Sequence, residues 1–277
     1  IDIMFYNVGG SVLDAALGNL RERARIVLCG AIAQYEAERP EPVFNTWELI
    51  TKRALAEGFM FSDYAAEFPE ATAELARQID ATPGVFYRGL MTYPAAGKYQ
   101  EAAQWLAAAR TAFSEAGVDL PAITTGGTPD IWHMDEAAPV ATEYRPGTYI
   151  YMDRSQVAAG AASFDDCALS VLATVVSRPT ENRAIIDAGS KALTSDLLGL
   201  VGHGHVVEFP DAKVVGLSEE HGTLDVSACA NKPNIGDVIR IIPNHCCPVT
   251  NLFDQVHLIR NGELIQTLDV AARGRVG

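Results

Sequence analysis

The sequence predicts an α/β layer followed by an antiparallel β-domain. Up to about residue 79, short apolar runs typical of buried strands alternate with stretches of helical periodicity. The same alternation continues to about residue 143. From about residue 144 the chain instead carries many short strand candidates bounded by glycine, proline and asparagine, which is typical of antiparallel sheets.

The first 79 residues predict half of a doubly wound sheet. We expect strands in IDIMFYNVGG, ARIVLCGAI and FMFSDY, and helices in SVLDAALGNL, NTWELITKRALAEG and FPEATAELARQID. Ser11 is the expected N-cap of the first helix, and the second is expected to end near Gly58. The chain contains no GxGxxG, so the usual glycine-rich diphosphate loop is missing.

Residues 80–143 predict a further strand–helix–strand unit, and residues 144–277 a β-domain. The helix in YQEAAQWLAAARTAFSEAG is expected to end at Gly117, between strands in VFYRGLMTYP and PAITTGGTPD. Asn261 and Gly262 predict a two-residue hairpin turn. Strand candidates of the β-domain are TYIYMD, ALSVLATVVSRP, RAIIDAG, HVVEFP, KVVGLSEEHGTLDVS, DVIRIIPN and QVHLIRNGELIQTLDV.

Composition and charge exclude some classes of partner. The formal net charge of -14 removes the basic footprint that nucleic acids require, and it disfavours anionic membranes. No apolar run is long enough to span a bilayer, and no secretion signal is recognisable, so we expect a cytoplasmic protein. Cysteines are few and odd in number, which predicts reduced thiols: Cys29, Cys167, Cys229, Cys246 and Cys247.

The stretch PNHCCPVTN concentrates residues that bind soft metals. If this stretch is extended, His245 and Cys247 project to one side and Cys246 to the other. An imidazole nitrogen and a thiolate form a ligand pair suited to zinc. The alternatives are that all three side chains pack in the core, or that the cysteines form a strained vicinal disulfide. Two ligands leave a tetrahedral site open to water or substrate, which favours catalysis.

Two glycine-containing turns are candidates for binding one phosphate. TTGGTPD, residues 124–130, could form a nest of backbone N–H groups, and Gly147 and Thr148 mark a second turn. The alternative for both is an ordinary chain reversal.

Three further histidines are candidate site residues. His221 is expected at a hairpin bend, either pointing into a cleft or solvated. His203 and His205, in GHGH, predict a mobile loop because no acidic or thiol partner lies close in sequence.

A set of motifs from about residue 80 onward stands in a specific order. They are GVFYRGLMTYPA, ITTGGTPDIWHM, TEYRPGTYIYMD, ATVVSRP, IIDAGSKAL, LSEEHG, IRIIPNHCCPVTNLFD and VAARG. Together they resemble the D-threonine aldolase and D-serine dehydratase family. The resemblance implies a TIM barrel that holds pyridoxal phosphate, followed by a β-domain of the alanine-racemase C-terminal type. It also implies a divalent metal, zinc or manganese, beside the cofactor, and a homodimer.

The same resemblance suggests roles for particular residues. His245 and Cys247 match the metal pair, and cysteine in the second place is similar to the zinc-dependent dehydratase branch, whereas aldolases commonly have aspartate there. Arg145 occupies the place from which an arginine approaches the pyridine nitrogen of the cofactor. The residues that match the phosphate-binding turns are Thr128, Gly147 and Thr148.

Residues 1 to about 75 resemble a different family. FYNVGGSVLDAAL, ARIVLCGAIAQY and KRALAEGFMFSDYAAEFPEA look like the cofactor-domain end of a medium-chain, NADPH-dependent 2-alkenal or quinone reductase. The match departs at Tyr6, where that family commonly has aspartate. We therefore expect a Rossmann-like fragment in residues 1–79 joined to the end of a TIM barrel in residues 80–143, as in a fusion of two partial enzymes.

This arrangement has a consequence for catalysis. In the aldolase and dehydratase family the Schiff-base lysine lies on an early barrel strand, where this chain carries the reductase-like segment. A lyase of D-3-hydroxy amino acids, cleaving D-threonine or dehydrating D-serine, is therefore expected to be impaired. The alternatives are a fragment of an NADPH-dependent reductase and a non-enzymatic, metal-binding β-domain. No lysine stands in a matching context among Lys52, Lys98, Lys191, Lys213 and Lys232.

Overall fold

The computed structural model describes residues 1–35, 39, 41–137 and 139–275. It consists of two compact units, Ile1–Leu75 and Ala76–Gly277. The domain limits expected near residues 79 and 143 stay predictions. Within the described residues, no helix is both long and apolar enough to cross a membrane.

The first unit is built on a parallel three-stranded sheet. Its strands β1, β2 and β3 are neighbours in sequence order, and helices α1 and α2 connect them. Leu17, Leu20 and Ile26 form a small buried core with Ala24. The predicted strand–helix alternation is therefore confirmed for this unit. The elements are β1 (Ile3–Tyr6), α1 (Gly10–Leu17), β2 (Arg25–Leu28), α2 (Trp47–Thr51) and β3 (Leu55–Gly58).

Three sequence expectations for this unit are wrong: the end of the second helix near Gly58, the place of the third strand, and the N-cap of the first helix. The third strand lies at Leu55–Gly58 and not in FMFSDY, because α2 already ends at Thr51. Arg53 has a φ of 51°, a left-handed conformation that an α-helix cannot contain. The N-cap of α1 is Gly9 and not Ser11. Helix α3 (Phe68–Asp80) follows β3 after a 3₁₀ turn and runs across the limit between the units.

The second unit begins with another small parallel sheet. Strands β4 (Leu90–Met91), β5 (Ile123–Thr125) and β6 (Glu143–Tyr144) pair in sequence order. Helix α4 (Tyr99–Glu115) connects the first two, and Gly117 follows its end with a φ of 65°, as the sequence predicts. The short helix α5 (Met134–Ala137) precedes β6.

A closed six-stranded antiparallel barrel forms the β-domain. Its strand order is β10-β11-β8-β7-β12-β9, so the predicted antiparallel architecture is confirmed. Alternate residues point inward along each strand, as Val171, Ala173 and Val175 do on β7. The strands are β7 (Val171–Thr180), β8 (Arg183–Ile186), β9 (His205–Val206), β10 (Lys213–Leu217), β11 (Gly222–Asp225) and β12 (Val238–Ile242); helices α6 (Arg154–Ala158), α7 (Ser190–Leu193) and α8 (Cys246–Leu252) accompany them.

A separate two-stranded hairpin follows the barrel. Strands β13 (Gln255–Arg260) and β14 (Glu263–Asp269) pair through a turn at Asn261 and Gly262, as predicted. Both turn residues have positive φ, 53° and 81°, which fits the type I′ geometry that Asn-Gly favours.

Replacing Gly262 with alanine is expected to destabilise this hairpin by about 1–2 kcal/mol, because an L side chain is strained at positive φ. Amide hydrogen exchange in β13 and β14 measures the change. Gly216→Ala is the matched control, since a Cβ at Gly216 meets no atom within 4 Å and its φ is not positive. Equal protection in the Gly262→Ala variant and the parent would show that the turn does not limit hairpin stability.

Candidate active site and metal centre

The metal-binding candidates lie where β12 meets α8. His245 is the N-cap of α8, and Cys246 and Cys247 are its first two residues. The expectation of an extended segment is therefore wrong beyond His245, whose own backbone is extended. Pro248 lies in the first helical turn, where a missing N–H costs no intrahelical hydrogen bond.

The three side chains have different environments. Cys246 is completely buried, Cys247 is exposed, and His245 is partly buried. Burial, together with the negative charge of Asp153, raises the pKa of Cys246 well above its usual range. The Cys246 side chain is thus a neutral packing group, and His245 and Cys247 are the two that can meet solvent or a ligand.

A carboxylate orients the candidate histidine. Nδ1 of His245 lies 2.7 Å from Oδ2 of Asp196. This contact leaves Nε2 as the nitrogen available to a metal, the arrangement commonly found where a carboxylate supports a metal-bound histidine. In the described part of the chain, no group of three or more His, Cys, Asp and Glu residues could hold a metal ion. A metal here would need water or substrate to complete its coordination.

The two glycine-containing turns meet each other and the metal candidates. The backbone N–H of Tyr149 donates to Oγ1 of Thr128 at 3.1 Å. On the neighbouring residue, Oγ1 of Thr148 lies 3.9 Å from Sγ of Cys247. Three segments distant in sequence, at Thr128, Gly147–Tyr149 and Cys247, therefore converge at one place in the second unit.

Close packing around the first turn requires glycine. A Cβ at Gly126 would lie 2.0 Å from the ring of Tyr144, and its φ is 75°. A Cβ at Gly127 would lie 2.9 Å from the hydroxyl of Tyr93. The Tyr144 hydroxyl donates to the carbonyl of Gly127 at 3.2 Å, and burial raises the pKa of that hydroxyl. The turn is therefore held rigidly between two tyrosines.

Arg145 lies at the same end of the parallel sheet. Its Nε donates to Oγ1 of Thr124 at 2.8 Å, and its Nη2 donates to the carbonyl of Thr92. The guanidinium also lies 5.8 Å from the centre of the Tyr93 ring. These contacts fix the cation at the carboxyl ends of β4 and β5, where α/β folds commonly bind ligands.

Sequence reasoning missed a buried polar network beneath the metal candidates. Asp153, completely buried, is the N-cap of α6, and its Oδ1 accepts from Gln156 N–H at 3.1 Å. Its Oδ2 accepts from Cys246 N–H at 2.8 Å, so one carboxylate binds the first turns of α6 and α8. The strand predicted for TYIYMD is a 3₁₀ turn at Thr148–Ile150. The Asp-Arg-Ser-Gln stretch after it carries the N-cap signal that would have found Asp153.

The other three candidate histidines, His203, His205 and His221, lie on other elements of the β-domain. His221 is exposed in the β10–β11 hairpin, as its predicted position implies. The loop expected around His203 and His205 is wrong at His205, which lies on β9 and whose ring stacks on Phe164 with centroids 3.7 Å apart. Burial lowers the pKa of both, with a smaller effect of Arg154.

The lysines of the second unit occupy other places. Lys191 pairs with Glu219 and Glu220 beside the β10–β11 hairpin, and Lys232 bonds Asn182. Lys98 forms an exposed pair with Glu101 in the first turn of α4. Each of these amines thus has a carboxylate or amide partner.

Residues of the β-domain are similar to a known protein family. The family described as "Putative serine dehydratase domain" matches residues 168–259. D-threonine aldolase from Arthrobacter sp is 32% identical over 214 residues, which cover 72% of this chain and 55% of the aldolase. Much of the chain is therefore similar to the D-threonine aldolase and D-serine dehydratase family. It spans about half the length of this aldolase.

The fold is also similar to that of a solved aldolase structure. The crystal structure of D-threonine aldolase from Filomicrobium marinum aligns with a TM-score of 0.61 at 24% identity, covering 100% of this chain and 78% of the other. At this identity the likeness shows an alanine-racemase-like aldolase fold with a C-terminal β-barrel.

Part of the chain is similar to a second kind of protein, a reductase. The NADP(+)-dependent 2-alkenal reductase from Nicotiana tabacum is 45% identical over 86 residues, which cover 31% of this chain and 25% of the reductase. The chain thus combines a segment similar to the aldolase and dehydratase family with a segment similar to part of a reductase.

Proposed function

We propose that the second unit carries two parts of a pyridoxal-phosphate- and metal-dependent lyase site for D-3-hydroxy amino acids. Its substrates would be D-threonine or D-serine. The observation that carries the proposal is the convergence of Thr128, Thr148 and Cys247, which joins the phosphate-binding candidates to the metal candidates. Similarity to D-threonine aldolase supports the reaction class.

The residues present fit the phosphate of the cofactor. The turn at Gly126 and Gly127 leads into Thr128, and Gly147 leaves open space beside Thr148, since a Cβ at Gly147 would meet no atom within 4 Å. A nest of N–H groups and hydroxyls of this kind suits a phosphate. Arg145, fixed by Thr124, would approach the pyridine nitrogen, and the bound cofactor would supply an electron sink.

The residues also fit one divalent metal. His245 would offer Nε2, since Nδ1 faces Asp196, and Cys247 would offer its exposed thiolate. Nitrogen and sulfur together favour zinc over manganese, which prefers oxygen ligands. Open coordination positions would let the metal bind and polarise a substrate hydroxyl.

Among the residues that the structure describes, we assign none to the role of the lysine that anchors the cofactor. Lys98, Lys191 and Lys232 each pair with a carboxylate or amide of the second unit, and Lys213 begins β10 of the barrel. We therefore assign no chemical step through the cofactor and propose that lyase activity is weak or absent.

Activity assays test this proposal directly. The protein is supplied with pyridoxal phosphate and either zinc or manganese, and glycine and acetaldehyde from D-threonine, or pyruvate and ammonia from D-serine, are measured. The expected rate is close to that of the cofactor and metal without protein, with no preference over the L enantiomers. D-specific turnover well above that background would contradict the proposed impairment and support a complete lyase.

We further propose an origin for the two α/β sheets and an assembly. Strands β1–β3 would be a Rossmann-like fragment, as the similarity to a reductase supports. Strands β4–β6 would be the end of a TIM barrel, and the protein would form a homodimer in which one β-domain closes the site of the other subunit. The alternative of an NADPH-binding reductase predicts that millimolar NADPH raises the unfolding temperature.

A further inference from the structure

We infer that Asp196 is a positioning residue that presents Nε2 of His245 to the metal. The inference deepens the proposed function and rests on the metal site of His245 and Cys247 named there. Nδ1 of His245 lies 2.7 Å from Oδ2 of Asp196, and both side chains are partly buried. With Nδ1–H donating to the carboxylate, the tautomer and ring orientation are set and the other nitrogen becomes a better ligand.

The loop that carries Asp196 has a specific, strained conformation. Thr194 and Leu198, on either side of it, have φ angles of 61° and 47°, which are unfavourable for residues other than glycine. The Asp196 N–H donates to Oγ1 of Thr194 at 3.1 Å, and Oδ1 accepts from Leu198 N–H at 3.3 Å. Such backbone conformations persist where the surrounding structure enforces them, and they are common at functional sites.

Buried side chains connect this loop to the histidine segment. Asn244, which is 1% exposed and adjacent to His245, donates from Nδ2 to the carbonyls of Gly202 at 2.8 Å and Asp196 at 3.4 Å. Arg154 donates from Nη1 to Oδ1 of Asn244 at 2.9 Å. The same guanidinium donates to Val201 and Gly202 carbonyls.

The two flanks of His245 are therefore both fixed. Asn244 is bonded to the loop of Asp196 on one side, and Cys246 N–H is bonded to Asp153 on the other. Fixing the backbone leaves rotation of the imidazole as the remaining freedom, and the contact with Asp196 removes it. This is the support that a metal site with few protein ligands needs, because preorganised ligands lose less freedom on binding.

The test measures the cobalt(II) affinity of purified, metal-free protein by titration followed in the visible absorption spectrum, with zinc competition as a second readout. Replacing Asp196 with alanine is expected to weaken cobalt binding about 10- to 100-fold. Asp196→Asn, which keeps an acceptor oxygen, is expected to lose less cobalt affinity than Asp196→Ala. At saturating cobalt, the thiolate-to-cobalt band should be unchanged in both variants, because the ligands themselves are the same.

Controls separate a positioning role from a general loss of structure. Glu208→Gln removes another carboxylate that bonds a basic side chain, Arg240, and is expected to bind cobalt like the parent. The unfolding temperature of each metal-free variant shows whether it is folded; if Asp196→Ala is not, Asp196→Asn decides.

Three outcomes are distinguishable. A parent protein that binds cobalt through Cys247, with weaker binding in the Asp196 variants alone, supports the inference. Parent binding with unchanged affinity in folded Asp196 variants overturns the positioning role and leaves the proposed metal site intact. Failure of the parent to bind cobalt and zinc overturns the metal site, and the inference with it.

Discussion

Replacing Asp153 with alanine is expected to lower the free energy of unfolding of the second unit by about 3–5 kcal/mol. The buried carboxylate accepts hydrogen bonds from Cys246 N–H, Gln156 N–H and the Ser155 hydroxyl. An N-cap acceptor contributes about 0.5–2 kcal/mol, and each buried donor left without a partner costs about 1–3 kcal/mol. Urea unfolding followed by circular dichroism measures the change.

A second cap provides the matched control for Asp153. Asp166 accepts from the backbone N–H and hydroxyl of Ser163 at 2.8 and 2.7 Å, but it is exposed. Asp166→Ala is expected to cost less than about 1 kcal/mol, since water replaces the lost partner. A cost for Asp153→Ala no greater than that of Asp166→Ala would show that Asp153 does not hold α6 and α8 together.

Replacing His245 with alanine is expected to weaken zinc binding by more than about 100-fold. This exceeds the effect expected for removing Asp196, which only supports a ligand. Only two protein ligands are proposed, so the remaining thiolate of Cys247 would hold the ion alone. Calorimetric titration of metal-free protein with zinc measures the affinity.

His221→Ala is the control for His245, because His221 lies exposed in the β10–β11 hairpin. It is expected to bind zinc like the parent. If both histidine variants bind zinc equally well, the ion is held elsewhere and the proposed site is wrong.

The pattern of apolar residues predicted much of the fold. Strand β7 and helix α4 were predicted because period-2 and helical periodicity are properties of the local sequence. Helix α8 was not, because a proline such as Pro248 suits the end of a strand and the first turn of a helix equally well. The third strand was predicted too far along the chain, because nothing in the local sequence marks the left-handed conformation of Arg53.

Some residues of the candidate site could likewise be predicted from the local sequence, and others could not. His245 and Cys247 were predicted because their residue types and spacing suit a metal, and Thr128 and Thr148 because their turns resemble a known family. Asp196 was not predicted, because it meets His245 across 49 positions of sequence and stands in a stretch without a motif. Contacts of this kind depend on how the barrel closes, which periodicity does not encode.

The most direct test of the central claim is to bind pyridoxal phosphate to the zinc-loaded protein and then reduce it with borohydride. We expect saturable binding in equilibrium dialysis, weakened in a Thr128→Val variant, with no lysine modified stoichiometrically when the reduced protein is mapped by mass spectrometry. Stoichiometric modification of a single lysine would contradict the claim that the anchor is missing. Absence of saturable binding would contradict the claim that the Thr128 and Thr148 turns hold the phosphate.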